Sequence, residues 1–472
     1  MSPKERFALL EARMREADLP DSFIRTIGHY YAQLLTGHTG FIPEETIEPV
    51  VELPDAEQLP GHLTRVGEKH ADEVVFIKLN GGLGTSMGLD GPKSLLEIKD
   101  NLTFLDIIAR HAIHHHMPLV LMDSFRTREA TLAHLERYPQ LHNDIPLDFL
   151  QHRTPNIRQD TLEPVSWPAD PALEWAPPGH GDIYTALSTS GMLENLLKRG
   201  YEYAFVSNAD NLGAALDTTI LGYFIEQQAA FMMEVADRTP ADRKGGHLAR
   251  RKTDGQLVLR ESAQCPDTDD AFFQDISRHR YFNTNNIWLH LPTLQQMMQE
   301  REGILGLPMI LNRKNVDPRD PESPAVYQIE TAMGSAIALF ADARALRVSR
   351  SRFSPVKTTN ELLAVRSDAY ILTDDFRVML HPQRWGKNVV VDLDPLFYKL
   401  IDQFDARFPY GPPSLHRCDK LMVRGDVVFG RNIVLEGEIE IINEDDDPYI
   451  FDEEQAALFL NHHHTGPGLF LG

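Results

Sequence analysis

A glycine-rich loop directly after a short apolar run constrains this chain more than any other feature. The run, Val74–Leu79, is interrupted only by Lys78, and its β-branched residues are typical of a strand buried on both faces. Lys93 and Ser94 close the stretch. Between the apolar run and Lys93, five glycines fall within eleven positions: Gly81, Gly82, Gly84, Gly88 and Gly91. Because glycine lets backbone N–H groups approach a ligand, this pattern predicts a phosphate-binding loop, with a surface turn as the alternative.

The loop matches neither of the two commonest phosphate motifs. Pro92 separates Gly91 from Lys93, so the Walker A pattern fails. Gly82 and Gly84 are not followed by the third glycine of the dinucleotide fingerprint, since Gly88 comes one place late. A P-loop ATPase and a classical dehydrogenase are therefore disfavoured.

Composition restricts the partners and the compartment. The formal net charge of −23 argues against nucleic acid and anionic membranes, and no apolar run approaches the roughly 18 residues of a membrane span. The mixed-charge N-terminus has no signal-peptide pattern. The two cysteines, Cys265 and Cys418, are too few for a disulfide framework, which predicts a cytoplasmic protein.

The order of patterns along the 472 residues predicts three segments. Residues 1–70 form a helical segment that ends in an irregular, proline-rich connector from about 41 to 68. Residues 71–375 alternate short apolar runs with helical spacing, such as Leu105–His111 and Met192–Leu197, which predicts an α/β domain with a largely parallel sheet. The runs predicted to be strands are Val74–Leu79, Leu119–Met122, Ala204–Ser207, Phe231–Val235 and Ile287–Leu291.

The last segment, 376–472, has a different texture. Val423, Val427, Ile433 and Ile439 follow one another at steps of four, six and six, with glycines between them. Such spacing favours a parallel β-helix, with a β-meander as the alternative.

Several polar residues after apolar runs are candidates for chemistry. Asp210 in SNADNLG follows a predicted strand and suits Mg²⁺, with a helix N-cap as the alternative. His180, in PPGHGD, can donate to a phosphate or hydroxyl, although a lone loop histidine is more often a surface residue. The histidine runs 114–116 and 462–464 are not expected to bind metal, because no suitable cysteine or carboxylate spacing accompanies them.

Taken together, LNGGLGTSMG…GPKS, PPGHGD, SNADNLG and YFNTNNIW resemble the uridylyltransferases of the UDP-glucose pyrophosphorylase family, in family order from about residue 41 to 442. The resemblance implies an α/β fold: a Rossmann-like nucleotidyltransferase (GT-A-like) domain with a mostly parallel mixed sheet, preceded by the helical segment. It also implies that the C-terminal segment is a left-handed parallel β-helix.

By position, the resemblance implies roles for individual residues. Lys93 and Lys357 would be catalytic, Asp210 would hold Mg²⁺, and Gln151 in FLQHRTPNI would bind the uracil edge, because an amide can both donate and accept. The implied nucleotide-binding residues are Leu79, Asn80, Gly81, Gly82, Lys93, Gln151, Gly179, Asp210 and Lys357. The implied sugar-phosphate-binding residues are His180, Asn208, Ala209 and Asn285.

The implied reaction is Mg²⁺-dependent: UTP and glucose 1-phosphate give UDP-glucose and pyrophosphate. A pyrophosphorylase of broader UDP-sugar or UDP-N-acetylhexosamine specificity stays an alternative, as does a catalytically inactive nucleotide-sensing scaffold. A homo-oligomer would assemble through the C-terminal β-helix. The family departures Arg238, Pro292 and Tyr398 put peripheral phosphate contacts in doubt, since many members have lysine at these places.

Overall fold

The computed structural model describes residues 2–142, 144–461 and 469–471. No helix in these ranges has the length and apolar character needed to cross a membrane. The α-helices are α1 (Pro3–Glu16), α2 (Asp21–Leu35), α3 (His62–Lys69), α4 (Phe104–His114), α5 (Arg128–Leu135), α6 (Ile183–Thr189), α7 (Met192–Lys198), α8 (Thr218–Glu226), α9 (Asp270–Phe273), α10 (Leu291–Glu300), α11 (Thr359–Arg366), α12 (Pro395–Tyr398), α13 (Ile401–Arg407) and α14 (Glu453–Asn461).

The strands fall into one large sheet and several small ones. Strands of the first half are β1 (Ile47–Pro49), β2 (Val74–Asn80), β3 (Glu97–Lys99), β4 (Leu102–Thr103), β5 (Leu119–Asp123), β6 (Asp148–Leu150), β7 (Thr154–Pro155), β8 (Ile157–Arg158), β9 (Trp175–Ala176), β10 (Tyr203–Asn208) and β11 (Phe231–Asp237). The later strands are β12 (His247–Arg251), β13 (Leu257–Arg260), β14 (Tyr281–His290), β15 (Met309–Asn315), β16 (Ala325–Thr331), β17 (Arg344–Arg347), β18 (Tyr370–Leu372), β19 (Val378–Leu380), β20 (Val390–Leu393), β21 (Ser414–Arg424), β22 (Val427–Phe429), β23 (Val434–Asn443), β24 (Tyr449–Phe451) and β25 (Leu469–Leu471).

A ten-stranded sheet organises the molecule, with the path β1-β12-β14-β10-β2-β5-β6. The half that carries the glycine-rich loop is parallel: β10, β2, β5 and β6 all run the same way. Pairings to β14 are antiparallel. The predicted mixed α/β architecture with a largely parallel central sheet is therefore confirmed, and all five predicted strands are present. One is longer than predicted, because β14 begins at Tyr281, six residues before the predicted start at Ile287.

Both faces of the sheet are covered by helices, as the apolar run in β2 predicted. Successive strand residues point to opposite faces. Val75 and Ile77 pack in a cluster with side chains of α6, α7 and α10, whereas Val74 and Phe76 pack with α4 and α8. A strand so enclosed has no solvent-facing side, so ligands can reach it only at its ends.

The N-terminal segment is more ordered than predicted. Helices α1 and α2 form a layer packed on Met309 and Ile329. The connector predicted to be irregular contains β1, which joins the central sheet through β12, and α3, which packs on α8. The prediction was wrong here because Pro60 and Gly61 precede α3 instead of interrupting it.

The C-terminal strands stack in parallel, as their six-residue spacing indicated. The pairs β20/β21, β21/β23, β23/β25 and β22/β24 are all parallel. Their apolar core also contains Met87 of the glycine-rich loop, Ile98 and Phe104 beyond it, and residues of α11. This core joins residues from both sides of residue 375. The domain boundaries 1–70, 71–375 and 376–472 stay predictions. The run His462–His464 lies outside the described residues.

Candidate active site

A cleft of about 820 Å³, open to solvent, lies at the carboxyl ends of β2 and β10. Asn208 is in register with Leu79, and the Ala209 N–H donates to the Leu79 carbonyl at 3.0 Å, so both following loops leave the sheet at one edge. Ligands of open α/β sheets bind at such edges. The cleft is lined by Leu79, Asn80, Gly81, Gly82, Lys93, Ser94, Met122, Gln151, Pro177, Gly179, His180, Asn208, Ala209 and Asp210. Eleven of these are predicted site residues; the other two predicted residues, Asn285 and Lys357, do not line it.

Lys93 and Asp210 form an ion pair in the cleft, with 2.6 Å between Nζ and Oδ2. Their side chains are 16% and 21% exposed, so both remain accessible to a ligand. Backbone hydrogen bonding holds Lys93 in place, because its N–H donates to the Gly82 carbonyl at 3.1 Å. Mg²⁺ commonly takes one or two carboxylates together with phosphate oxygens and water, and a single accessible carboxylate beside a phosphate-type loop fits that donor set.

Asn80 lines the cleft as predicted for a residue of this loop, and its side chain is buried. The amide Nδ2 donates to Asp123 Oδ1 at 2.6 Å and to Thr131 Oγ1 at 2.9 Å. Asn80 is 3% exposed, so its backbone is what it can offer to a ligand. The side chain instead ties the end of β2 to the end of β5.

The carboxyl group of Asp123 is buried in the protein interior. It is fully buried, and its Oδ2 has no hydrogen-bond partner in the described part of the chain. Burial raises the pKa of Asp123 to about 7, against the lowering effect of the Asn80 hydrogen bond. A carboxylate at the end of an apolar strand was the only sequence signal for this environment.

We expect Asp123→Asn to change how stability depends on pH. The raised pKa means that the folded protein keeps a proton that the unfolded chain loses. Stability from this group is therefore full at low pH and is lost between about pH 4 and pH 7, by about 4 kcal/mol. The Asn variant lacks this loss. Between about pH 4 and pH 7, the free energy of urea unfolding of the wild type should therefore fall by about 4 kcal/mol relative to that of the variant. Parallel pH profiles would contradict the assignment, and Asp90→Asn, which alters an exposed carboxylate, should follow wild type.

Gln151 is positioned by the same strand end. Its N–H donates to the Asp123 carbonyl at 2.8 Å, and its amide lies so close to Gly81 that a Cβ there would meet Gln151 Nε2 at 2.8 Å. The next residue, His152, is bonded to Asp182, whose carboxylate accepts from the His152 N–H at 2.7 Å and lies 2.9 Å from Nδ1. This buried pair, which sequence reasoning missed, joins the Gln151 loop to the PPGHGD loop.

His180 presents one ring nitrogen as a donor. The Met333 N–H donates to its Nδ1 at 2.9 Å, so the proton of the neutral ring sits on Nε2. Burial lowers the pKa of His180 to about 4, which keeps the ring neutral at physiological pH. Gly179 makes this approach possible: its φ is +78°, and a Cβ would lie 2.4 Å from the Thr331 carbonyl oxygen. His180 is thus suited to donate a hydrogen bond from Nε2 of a neutral ring.

The asparagine cluster in β14 divides between two roles. Asn285, half-buried, has φ +58° and accepts from Asn283 Nδ2 at 2.8 Å, at a bulge opposite β11. Asn286 is fully buried and supports Asn211, whose Nδ2 donates to Asn286 Oδ1 at 3.1 Å. Asn286 therefore supports the loop that carries Asp210.

A buried ion pair supports the Asp210 loop, because the Arg352 carbonyl accepts from Asn211 Nδ2 at 3.1 Å. Arg352 contacts Glu234 at 2.7 Å, and Glu234, fully buried, also accepts from Asn286 and from the Trp288 indole N–H. Sequence reasoning missed it, although a glutamate inside the apolar run Phe231–Val235 was the available signal.

Lys357 lies outside the cleft and is exposed. Its neighbours are nevertheless fixed beside the cleft, because the Val356 N–H donates to the Asp210 carbonyl at 3.3 Å and Pro355 bridges to Asn211. The loop that carries Lys357 therefore packs on the loop that carries Asp210.

Two family departures have structural roles away from the cleft. The Arg238 guanidinium donates to five backbone carbonyls, those of Phe273, His279, Asp242, Arg243 and Gly245. Buried Tyr398 donates its hydroxyl to the Val427 carbonyl at 2.6 Å. The doubt that these residues raised about phosphate contacts does not extend to the cleft itself. A third departure, Pro292, lies in the first turn of α10, where a missing N–H costs no helical hydrogen bond.

A glycine-rich loop, a lysine and an accessible carboxylate at one edge of a parallel sheet suit an enzyme that binds and transfers nucleotidyl groups. Comparison with known proteins identifies the particular group. The model of the family "UTP–glucose-1-phosphate uridylyltransferase" matches residues 21–436, and this chain belongs to that family of uridylyltransferases.

Individual relatives align with this chain along most of their length. A probable UTP–glucose-1-phosphate uridylyltransferase of Schizosaccharomyces pombe is 40% identical over 409 residues, covering 84% of this chain and 79% of its own length. The Solanum tuberosum enzyme is 38% identical, covering 89% of this chain and 87% of its own length. A variant of UDP-glucose pyrophosphorylase from Leishmania major, in complex with UDP-glucose, superposes with a TM-score of 0.88 at 44% identity, covering 95% of this chain and 98% of its own.

Proposed function

We propose that this protein catalyses the transfer of UMP from UTP to glucose 1-phosphate, releasing pyrophosphate and forming UDP-glucose. The family membership gives the reaction, and the paired Lys93 and Asp210 beside the glycine-rich loop carry the assignment of the site. On a molecule with a net charge of −23, a triphosphate needs such a local arrangement of cations and N–H donors.

The chemistry needs no protein nucleophile. An anionic oxygen of the sugar phosphate forms a bond to the α-phosphorus of UTP, while the bond from that phosphorus to the bridging oxygen breaks and its electron pair leaves with pyrophosphate. The backbone N–H groups of Gly81 and Gly82 and the Lys93 ammonium would hold and neutralise the phosphates. Catalysis is then positioning and charge neutralisation.

Mg²⁺ fits the carboxylate of Asp210. When bound, the ion would neutralise charge on the phosphates in transfer. Lys93 would exchange its contact with Asp210 for a phosphate oxygen, so that the ion pair serves as the ligand-free arrangement of both side chains.

Gln151 would select the base. Its amide lies beside Gly81 at the cleft wall and can pair with the uracil O4 and N3–H together. We expect Gln151→Leu to lower kcat/KM for UTP by about 10- to 100-fold, because both uracil groups lose a partner. The ratio of kcat/KM for UTP to that for CTP should fall in the same variant. An unchanged ratio would contradict base selection by Gln151.

On the sugar side, His180 Nε2–H would donate to the sugar phosphate. Asn208 and Ala209 would line the same part of the cleft, and Asn285 would contact the sugar from the bulge in β14. Lys357 would approach the α-phosphate by movement of its loop. The Leishmania major enzyme has been solved in open and closed structures, which supports motion in this fold.

A pyrophosphate-release assay tests the function. UTP with glucose 1-phosphate should support turnover, whereas ATP, CTP and GTP should give little. A panel of sugar 1-phosphates decides between a glucose enzyme and one of broader UDP-sugar or N-acetylhexosamine specificity. Absence of UTP-dependent turnover with every sugar would leave the inactive nucleotide-sensing scaffold.

We further propose that the parallel C-terminal strands form the left-handed β-helix of the family and that a homo-oligomer, where one forms, assembles through it. Exposed apolar side chains, Val390, Leu396 and Ile450, support this segment as the contact surface. The low cysteine content and the enzyme class support a cytoplasmic location.

A further inference from the structure

We propose that His111, His115 and Asp375 form a transition-metal site, separate from the cleft, that takes Zn²⁺. One ring nitrogen of each histidine and one carboxylate oxygen of Asp375 lie within 4.8 Å of one another. The two histidines are four residues apart at the end of α4, so they share one helix face. Asp375 lies in the turn between β18 and β19.

His111 carries the observation that points to a ligand. Its Nδ1 lies 2.8 Å from the Asp375 backbone carbonyl, and because a carbonyl only accepts, Nδ1 carries the proton. Its Nε2 therefore has a lone pair, and this atom has no hydrogen-bond partner among the residues that the structure describes, although the residue is 7% exposed. A histidine that donates one N–H to a carbonyl and keeps the other nitrogen free has the arrangement typical of metal-binding histidines.

The spacing suits a small ion. His115 Nε2 lies 3.5 Å from Asp375 Oδ2, and two ligands of tetrahedral Zn²⁺ stand about 3.4 Å apart. All three ligand atoms lie within 4.8 Å of one another, so small side-chain rotations would bring the widest pair to the spacing of zinc ligands. Two imidazoles and a carboxylate are a common donor set for zinc, and the exposed side of His115, 40% open, leaves room for water as the fourth ligand.

Cationic and polar neighbours compete for the same carboxylate. Arg377 Nε donates to Asp375 Oδ2 at 2.7 Å, and Thr373 Oγ1 donates to Oδ1 at 2.5 Å. The Arg377 side chain is 43% exposed, so its departure costs little. His114 stacks edge-on against His115, and Arg110 lies over the Phe376 ring. A metal would take the place of Arg377 at Asp375.

Such an ion would clamp α4 to the β18–β19 turn. It would thereby tie a helix of the central sheet to the start of the C-terminal strands. Sequence reasoning considered the consecutive run His114–His116 and expected no metal, because no suitable cysteine or carboxylate spacing accompanies it. The structure brings together a different set, in which His115 joins His111 one turn earlier and a carboxylate 260 positions later.

The test is zinc binding by the full chain with His462–His464 changed to serine, so that the terminal histidines do not contribute. Measured by calorimetry with Mg²⁺ in excess, this protein should bind one equivalent of Zn²⁺ and melt at a higher temperature with zinc than without. His115→Ala, an exposed change, should weaken zinc binding by about tenfold or more and abolish the shift. Arg377→Gln should tighten binding, because a competing cation is removed.

The matched control is His114→Ala, an equally exposed histidine on the same turn, which should bind zinc as the parent does. Pyrophosphate release should be unchanged in His115→Ala, which keeps this test independent of the proposed function. Absence of zinc binding by the parent, or equal binding by the His115→Ala and His114→Ala variants, would overturn the proposal. Asp375→Asn supplies a second ligand variant and should weaken binding as His115→Ala does.

Discussion

Asp210→Asn is expected to lower kcat by about 10²- to 10³-fold, or about 2.7–4 kcal/mol. Asp210 is the accessible carboxylate of the cleft that lies 2.6 Å from Lys93, and the substitution keeps its size while removing its charge. The metal would lose its protein ligand, so charge on the reacting phosphates would be less neutralised. Turnover measured by pyrophosphate release at saturating UTP and glucose 1-phosphate checks this.

The variant should fold as wild type does. The lost ion pair is partly exposed, and such pairs contribute about 0–1 kcal/mol, so the melting temperature should change little. Raising Mg²⁺ should recover part of the activity, because the substrate phosphates still bind the ion. Asp342→Asn, an exposed carboxylate elsewhere, should be fully active. Near-normal turnover in Asp210→Asn would remove Asp210 from the metal site.

The glycine-rich loop was predictable because its information is local. A buried strand, closely spaced glycines and a terminal lysine stand consecutively, and the structure keeps them together as β2 and one wall of the cleft. The second wall was predictable for the same reason, since Asn208 ends β10 and Asp210 lies two residues beyond it. Parallel strands then bring both walls to one edge, which needs only the right-handed α/β topology.

Side-chain direction was predictable only in part. Phe76, Lys78 and Asn80 share one face of β2, because strand residues alternate, and this parity places the Asn80 amide in the protein interior. Its partners, Asp123 and Thr131, come from β5 and α5, 43 and 51 positions later. Contacts of that kind depend on how helices pack on the sheet, which no local pattern in one sequence contains.

The Glu234–Arg352 pair illustrates the same limit. Each residue separately is an unremarkable charge, and the reason for burying them appears only when β11, β14 and the 349–353 turn come together. A buried charge is stable when paired and bonded, so Glu234 fixes the Arg352 turn and through it the loop that leads to Lys357.

Lys357→Ala is the second large effect, with an expected loss of about 10²- to 10³-fold in kcat. The lysine is exposed in this structure and does not line the cleft, so its role depends on the loop that Val356 and Pro355 hold against Asp210 and Asn211. If closure brings the ammonium to the α-phosphate only during reaction, the loss must fall mainly on kcat, while KM for UTP changes little. Steady-state kinetics with varied UTP measure both.

The exposed position also makes the result easy to interpret. Removing an exposed side chain should leave the melting temperature unchanged, and Lys357→Arg should recover part of the rate, since it keeps the charge but changes its geometry. Lys387→Ala, an exposed lysine on the C-terminal segment, is the matched control and should be fully active. A loss confined to KM would mean that Lys357 binds UTP equally before and during transfer, and full activity would mean that its loop does not close over the reacting phosphate.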